Sequence, residues 1–256
     1  MIQTSARVTD CKEILEGIFV LSFLSTEIAA NSAPGQFVNV RCSNGCLPLL
    51  RRPFSISRVD GDSVELIFNV VGRGTSLLSQ MKPGDTLDVL GPLGVSFKFQ
   101  GSYGTAILVG GGLGVAPFPF LTSALLQSNK EVRTIVGARS AKQLLERYLQ
   151  NVQFATDDGS KGFRGTVIDL LKTIVPQQSQ HGLKIFGCGP TKMLIALSDF
   201  ARERALECEL SLEGDMACGM GLCQGCPVER ANGKKKYALV CTEGPTFNSN
   251  DIVITS

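Results

Sequence analysis

Hydrophobic positions in the first hundred residues come in short runs broken by turn residues. The runs fall at 17–23, 36–41, 63–71 and 86–90, and Pro34-Gly35, Pro83-Gly84-Asp85 and Gly91-Pro92-Leu93-Gly94 stand between them. Short strands with Gly, Pro and Asp turns at fairly regular spacing suggest an all-β barrel or sandwich over residues 1–100, of which the antiparallel β-barrel is the expectation. Near residue 104 the pattern changes. Strand-like runs at 105–109, 132–138, 152–156, 184–187 and 207–212 alternate with helical stretches up to about 126, around 141–148, 165–174 and 190–205. That alternation predicts a doubly wound parallel sheet over residues 101–211. Residues 212–256 remain as a small third unit rich in Cys and Gly. The expected class is therefore multidomain, β followed by α/β, and 256 residues suffice for two cores and an appendix.

Charge narrows the partners. A net charge of +2 makes no electrostatic case for nucleic acid or an anionic membrane surface. No apolar run reaches bilayer-spanning length, and the first residues lack a signal h-region, so a cytoplasmic protein is expected.

The most specific chemistry is in the third unit. Cys218, Cys223 and Cys226 have C-x4-C-x2-C spacing, and Cys241 follows after fourteen more residues. This is the spacing by which plant-type ferredoxins hold a [2Fe–2S] cluster. Gly219, Gly221 and Gly225 let the backbone crowd around an inorganic core. Zinc sites more often pair short-spaced cysteines, and disulfides belong to oxidising compartments. Of the other five cysteines, Cys11, Cys42 and Cys208 read as small buried hydrophobes. Cys42 and Cys46 flank a turn without visible metal partners, and His181, the only histidine, reads as a solvated loop residue. A Rieske centre, which needs two histidines, is excluded.

Three further segments look chemical. Arg51 to Ser57 reads as one short turn carrying arginines, a proline, an aromatic and hydroxyls, and an arginine can pair bidentately with a pyrophosphate. Gly72-Arg73-Gly74-Thr75-Ser76 can wrap a phosphate before a short helix. Gly110, Gly111, Gly112 and Gly114 follow a strand and open a helix. They suit either a close helix–strand crossing or the approach of a pyrophosphate.

Arg52-Pro53-Phe54-Ser55 with Gly74-Thr75 resembles the FAD motifs of the ferredoxin–NADP reductase superfamily. The resemblance implies that Arg52, Gly74 and Thr75 hold the FAD phosphates and that Ser55 approaches the reactive edge of the isoalloxazine. Ile67, Phe68 and Asn69 match the strand that contacts the cofactor, with Asn69 where a basic residue is frequent. The glycine run looks like that family's nicotinamide-dinucleotide turn, and Cys188-Gly189-Pro190 with Met193 is similar to its strand-end motif beside the nicotinamide. Asp157-Asp158-Gly159-Ser160 resembles the turn near the dinucleotide and is assigned no catalysis. Arg139 and Ser140 can face the adenosine ribose, leaving NAD against NADP open.

In its order of parts the whole chain resembles the electron-transfer subunits of dihydroorotate dehydrogenase B. The run from Cys241 to Phe247 is similar to their C-V-x-G-P-x-F tail, with Thr242 in place of valine. The resemblance implies a partner: an FMN-containing catalytic subunit that oxidises dihydroorotate, in a heterotetramer of two plus two. Electrons would pass through the cluster and FAD to NAD+ in de novo UMP synthesis, with no catalytic acid or base in this chain. The surface around Met220 and Leu222 would face the partner. Two alternatives stay open on sequence: the same module serving an NADH-dependent ferredoxin–NADP+ oxidoreductase or a sulfite reductase, and a zinc-stabilised binding module without redox function.

Overall fold

A computed structural model describes residues 1–43, 45, 47–175, 182–233 and 235–255; Cys46 and His181 lie outside the described residues. The longest strand, β1 (Ile2–Leu15), pairs with β2 (Ile18–Leu24) along one part and with β6 (Thr86–Leu93) along another. Irregularities in its register at Val8/Asp10 and Glu13/Leu15 bend it, which allows a sheet to close. With β3 (Phe37–Arg41), β4 (Arg52–Asp60) and β5 (Ser63–Asn69) it forms a closed barrel in the order β1-β2-β5-β4-β3-β6, with every pair antiparallel. Helices α1 (Thr26–Asn31) and α2 (Arg73–Leu78) are the barrel's short connections. Val38, Val40, Ile56, Leu66, Phe68 and Val89 fill the interior. Burying each such side chain stabilises the fold by about 1.5–3 kcal/mol.

One expectation fails here. Arg51 to Ser57 is not a turn, because β4 begins at Arg52 and pairs with β3 through Val40↔Arg52, Asn39↔Pro53, Val38↔Phe54 and Phe37↔Ser55. Proline is tolerated because it sits at the second residue of the strand, where one missing N–H costs little.

The second layer is a seven-stranded sheet. Strands β7 (Thr105–Gly111), β8 (Glu131–Ala138), β9 (Val152–Thr156), β10 (Phe163–Arg164), β11 (Leu183–Cys188) and β12 (Glu207–Ser211) run parallel in the order β10-β9-β8-β7-β11-β12. Helix α3 (Phe118–Gln127) covers one face, while α4 (Val167–Ile174) and α5 (Thr191–Glu203) cover the other. The chain leaves β7 in both directions, so β7 and β11 flank a topological switch point, where α/β sheets bind ligands at their carboxyl ends.

The helix expected around 141–148 is also absent. Only a single 3-10 turn at Ala141–Gln143 forms, and the segment crosses to the barrel as an extended strap. Leu144 and Leu145 are consecutive yet both buried. Arg147 forks onto Glu65 of β5 at 3.3 and 2.8 Å. Arg58 and Arg147 each lie 4.4 Å from the centre of the Tyr148 ring. Contacts to the barrel override the local helical preference.

After β12 the chain makes a cysteine-bearing loop and a small sheet of β13 (Pro227–Arg230), β14 (Tyr237–Leu239) and β16 (Ile252–Val253), with α6 (Val240–Glu243) following β14. Between α6 and β16, β15 (Thr246–Asn248) pairs antiparallel with β12 and becomes the edge of the large sheet. Among the described residues three hydrophobic clusters result, and two of them cross the layers. Phe37, Leu90 and Leu93 of the barrel share one with Cys226 and Cys241. Val20 and Ile67 share another with α3 and the strap. Among the described residues no helix is long and apolar enough to cross a membrane.

Candidate functional site

The four cysteines form two pairs. Cys223 N–H donates to Cys218 Sγ at 3.4 Å, Met220 N–H reaches the same sulfur at 3.5 Å, and Cys241 N–H donates to Cys226 Sγ at 3.4 Å. Burial opposes ionisation of Cys218, but the N–H groups of Cys223, Met220 and Leu222 outweigh it and bring the thiol down to about 7. Burial, then the neighbouring Cys226 thiol, pushes Cys241 up to about 11. Among the described residues no three His, Cys, Asp or Glu side chains converge on one point as a mononuclear metal site requires. A [2Fe–2S] core asks for something different, two thiolates at each iron, and two pairs fit that demand. N–H groups aimed at sulfur are also the donors that tune such a cluster.

On the barrel, the two motif segments meet. A Cβ on Gly74 would lie 3.4 Å from Arg52 Nε and 3.3 Å from Cys42 Sγ, so these backbones approach closely. Arg52 is half-buried and spends one guanidinium nitrogen on the carbonyls of Leu50 and Arg51. Arg51 turns away to grip the Asp88 carboxylate at 2.9 and 2.8 Å, a structural role. Pro53 and Ser55 are half-buried on the same strand, as is Phe54, whose ring centre is 5.5 Å from that of Phe68. Thr75 shapes its loop by accepting from Val71 and Gly72 N–H at 2.9 and 3.2 Å. Ile67 and Phe68 are buried in the core, while Asn69 is exposed. Leu47, Leu49 and Leu50 before Arg52, and Val70 and Val71 before Gly72, are exposed apolar residues on the two motif loops. An apolar rim around an arginine and a glycine-rich loop suits a large aromatic cofactor with a phosphate tail.

Across from the barrel a cleft of about 1210 Å³ opens at the carboxyl ends of β7, β8 and β9. Gly111 and Gly112 line it. Gly112 has φ +55° and only open space where a side chain would be, so its backbone faces the cleft directly. Gly110 and Gly114 serve the crossing, and Gly111 serves it as well as lining the cleft, since a Cβ on them would press on Val115, on the Cys188–Gly189 backbone, and on Met193 and Pro190 respectively. The close crossing is therefore realised, and the open backbone at Gly112 leaves space for a ligand. Asn69 and Val70 line the cleft from the barrel side, and Arg139, Ser140, Asp157, Pro190 and Met193 from the sheet side. Cys188 ends β11 and is buried; burial, reinforced by Glu213, pushes its thiol up to about 12. Gly189 follows, and Pro190 precedes α5. Cys42 and Cys208 are buried as expected, and Cys11 is half-buried with its thiol on the Leu78 carbonyl at 3.4 Å.

The sequence reading missed Lys142, Lys172 and Lys192, which add positive charge to the cleft. Lys192 carried a signal. It sits in the first turn of α5, where a cation opposes the helix dipole and an anion nearby relieves the conflict.

Residues 213–253 match the model of the iron–sulfur cluster binding domain of dihydroorotate dehydrogenase B. A curated relative from Desulforamulus reducens, the electron transfer subunit of dihydroorotate dehydrogenase B (NAD(+)), is 37% identical over 256 residues, covering 97% of each chain. One from Listeria monocytogenes serotype 4a bearing the same description is 37% identical over 261 residues, covering 98% of this chain and 99% of the relative. Among solved structures, a chain of an NADH-dependent reduced ferredoxin–NADP oxidoreductase superposes with a TM-score of 0.86 at 27% identity, over 98% of this chain and 90% of that one. A ferredoxin reductase of carbazole 1,9a-dioxygenase shares the fold at 21% identity and a TM-score of 0.69, over 80% of this chain and 66% of its own. With near full-length identity at this level joined to the paired cysteines and the cleft, the chain belongs to the family of electron transfer subunits of dihydroorotate dehydrogenase B (NAD+).

Proposed function

We propose that this chain carries electrons from a dihydroorotate-oxidising, FMN-containing catalytic subunit to NAD+, two copies of each subunit forming the complex. The observation that carries the proposal is the succession of three sites in one packed body. The cysteine pairs come first, the barrel face bearing Arg52 and Ser55 second, and the cleft at Gly112 third. Residues 1–100, 101–211 and 212–256 are taken as the corresponding FAD, NAD and cluster units.

Flavin supplies the exchange between single electrons and a hydride, which an iron–sulfur cluster and nicotinamide cannot make with each other directly. The chain's own residues bind and orient. Cys218 with Cys223 and Cys226 with Cys241 hold one iron each. Arg52 and the backbone at Gly74 and Thr75 hold the FAD phosphates, with Pro53, Phe54 and the strand Ile67 to Asn69 shaping the bed. Ser55 presents its hydroxyl at the flavin's reactive edge. Gly111 and Gly112 admit the dinucleotide, Lys192 offsets phosphate charge, and Gly189 and Pro190 leave room for the nicotinamide beside Cys188. Cys188, buried at the end of β11 with its thiol held protonated, would back the nicotinamide site from within the sheet and take no nucleophilic part. Leu222, 80% exposed at the tip of the cysteine loop, and Met220 beside it present the face that meets the catalytic subunit.

The test is an anaerobic visible spectrum of the protein co-expressed with its catalytic partner. Dihydroorotate is expected to bleach flavin and iron–sulfur bands, and NADH to form once NAD+ is added. The whole-length likeness to the NADH-dependent reduced ferredoxin–NADP oxidoreductase favours one second reading, the same module with another partner. Bands that respond to NADH or NADPH but not to dihydroorotate would select it.

A further inference from the structure

Asn39 lies on β3 and is wholly buried. Val38 and Val40 point into the barrel, whereas Phe37 packs into the core shared with the cysteine segment. Strand alternation puts Asn39 on the side of Phe37. Across the ladder Phe37 faces Ser55 and Asn39 faces Pro53, and residues directly opposite share a face. Asn39 thus stands between the flavin strand and the cysteine loop. There its Nδ2 donates to the Cys218 carbonyl at 3.1 Å.

The contact is built from both sides. Gly219 has φ +70°, and a Cβ there would overlap Asn39 Nδ2, so the next loop residue must be glycine for the amide to reach. Arg51 donates to the Asn39 carbonyl at 3.4 Å while gripping Asp88, which fixes the strand beneath. Asn39 Oδ1, by contrast, is buried and has no partner among the described residues. A leucine would fill the same space without an unmet acceptor, so packing does not account for the amide.

Building on the electron-transfer role given above, we propose that Asn39 is a positioning residue that sets the Cys218 end of the cluster against the flavin strand. One electron leaves the cluster for each electron the flavin gains. Two such transfers with one proton from solvent balance the hydride delivered to NAD+, and Asn39 makes and breaks no bond.

The experiment compares full-length Asn39→Leu and Asn39→Ala, both lacking the donor, with the unaltered protein, each carrying FAD and cluster. After mixing with NADH, the flavin band is expected to bleach at the unaltered rate, while the cluster's visible circular dichroism changes at least tenfold more slowly. The resonance spectrum of the reduced cluster keeps its form, and amide exchange at Gly219 and Met220 rises at least tenfold. An unchanged rate of cluster reduction in both variants would overturn the assignment. Loss of iron from both would also overturn it, by making Asn39 a folding residue. Absence of cluster dichroism in the unaltered protein would instead sink the electron-transfer reading itself.

Discussion

Cys223 is the exposed member of the cysteine set, yet its backbone N–H supports Cys218 as its sulfur completes the pair. Cys223→Ser replaces a soft thiolate with a hydroxyl that does not ligate iron well. The variant is expected to lose the iron–sulfur absorption bands, keep FAD at full occupancy and still be reduced by NADH, while transfer from dihydroorotate to NAD+ ceases. Normal transfer in that variant would remove the cluster from the route. The cysteine set was legible because the constraint on a candidate cluster site is local: a loop around one core forces short spacings onto the chain. Asn39 was not legible, because an asparagine in an apolar strand gains meaning only when the fold brings Cys218 to it across 179 positions. Lys192 lay between these cases, marked by its unfavourable place in a helix's first turn.

The strap at Leu144 to Tyr148 shows how an element escapes a pattern. Its leucines and charged residues fit a helix locally, but the Arg147 fork to Glu65, a carboxylate only 9% exposed, belongs to the barrel. Arg147→Ala is expected to destabilise the fold by about 1.5–3 kcal/mol, the worth of hydrogen bonds to a charged group, as read by urea unfolding. Where the chain's signals are self-contained, element and sequence agree. Helix α4 opens with Thr166 accepting from Asp169 N–H at 3.1 Å and Asp169 accepting from Thr166 N–H and hydroxyl at 3.2 and 2.6 Å. The Thr166 hydroxyl, then its N–H, holds the Asp169 carboxyl below the usual aspartate range. A depressed native value means that this support is complete above the ordinary aspartate value of about 4 and fades as pH falls through the lower native value. Thr166→Ala should therefore cost about 1 kcal/mol near neutral pH and less in acid, which unfolding curves at the two pH values would reveal.

At the scale of the molecule, a buried ion pair between β11 and β12 of the sheet ties down the segment that leads out of the barrel. Lys184 Nζ lies 2.9 Å from Glu209 Oε1 and donates to the Lys98 carbonyl at 2.6 Å, while Lys98 N–H reaches the other Glu209 oxygen at 2.7 Å. Lys184→Met leaves Glu209 buried without its cation and is expected to cost about 3–5 kcal/mol in unfolding experiments, with Lys184→Met/Glu209→Leu recovering much of it. Recovery by the double variant would separate loss of a charge partner from loss of packing. The succession of barrel, sheet and cysteine unit was readable because each part carries its own periodicity or spacing. The return of the chain's end was not, since a three-residue strand has too few positions to show a period.

That return has a practical consequence. By lying along Glu209, Leu210 and Ser211, β15 covers the hydrogen-bonding edge of β12. Val95 N–H bonds to the Gly244 carbonyl and Thr246 Oγ1 to that of Val95, which stitches the same tail to the end of the barrel. The cysteine unit is thus not a cassette that can be clipped off or grafted elsewhere. A chain shortened at Ser211 would present a strand edge with unpaired N–H and C=O groups to other molecules, and a flavin reductase engineered in that way would be prone to clumping unless a new edge guard were supplied.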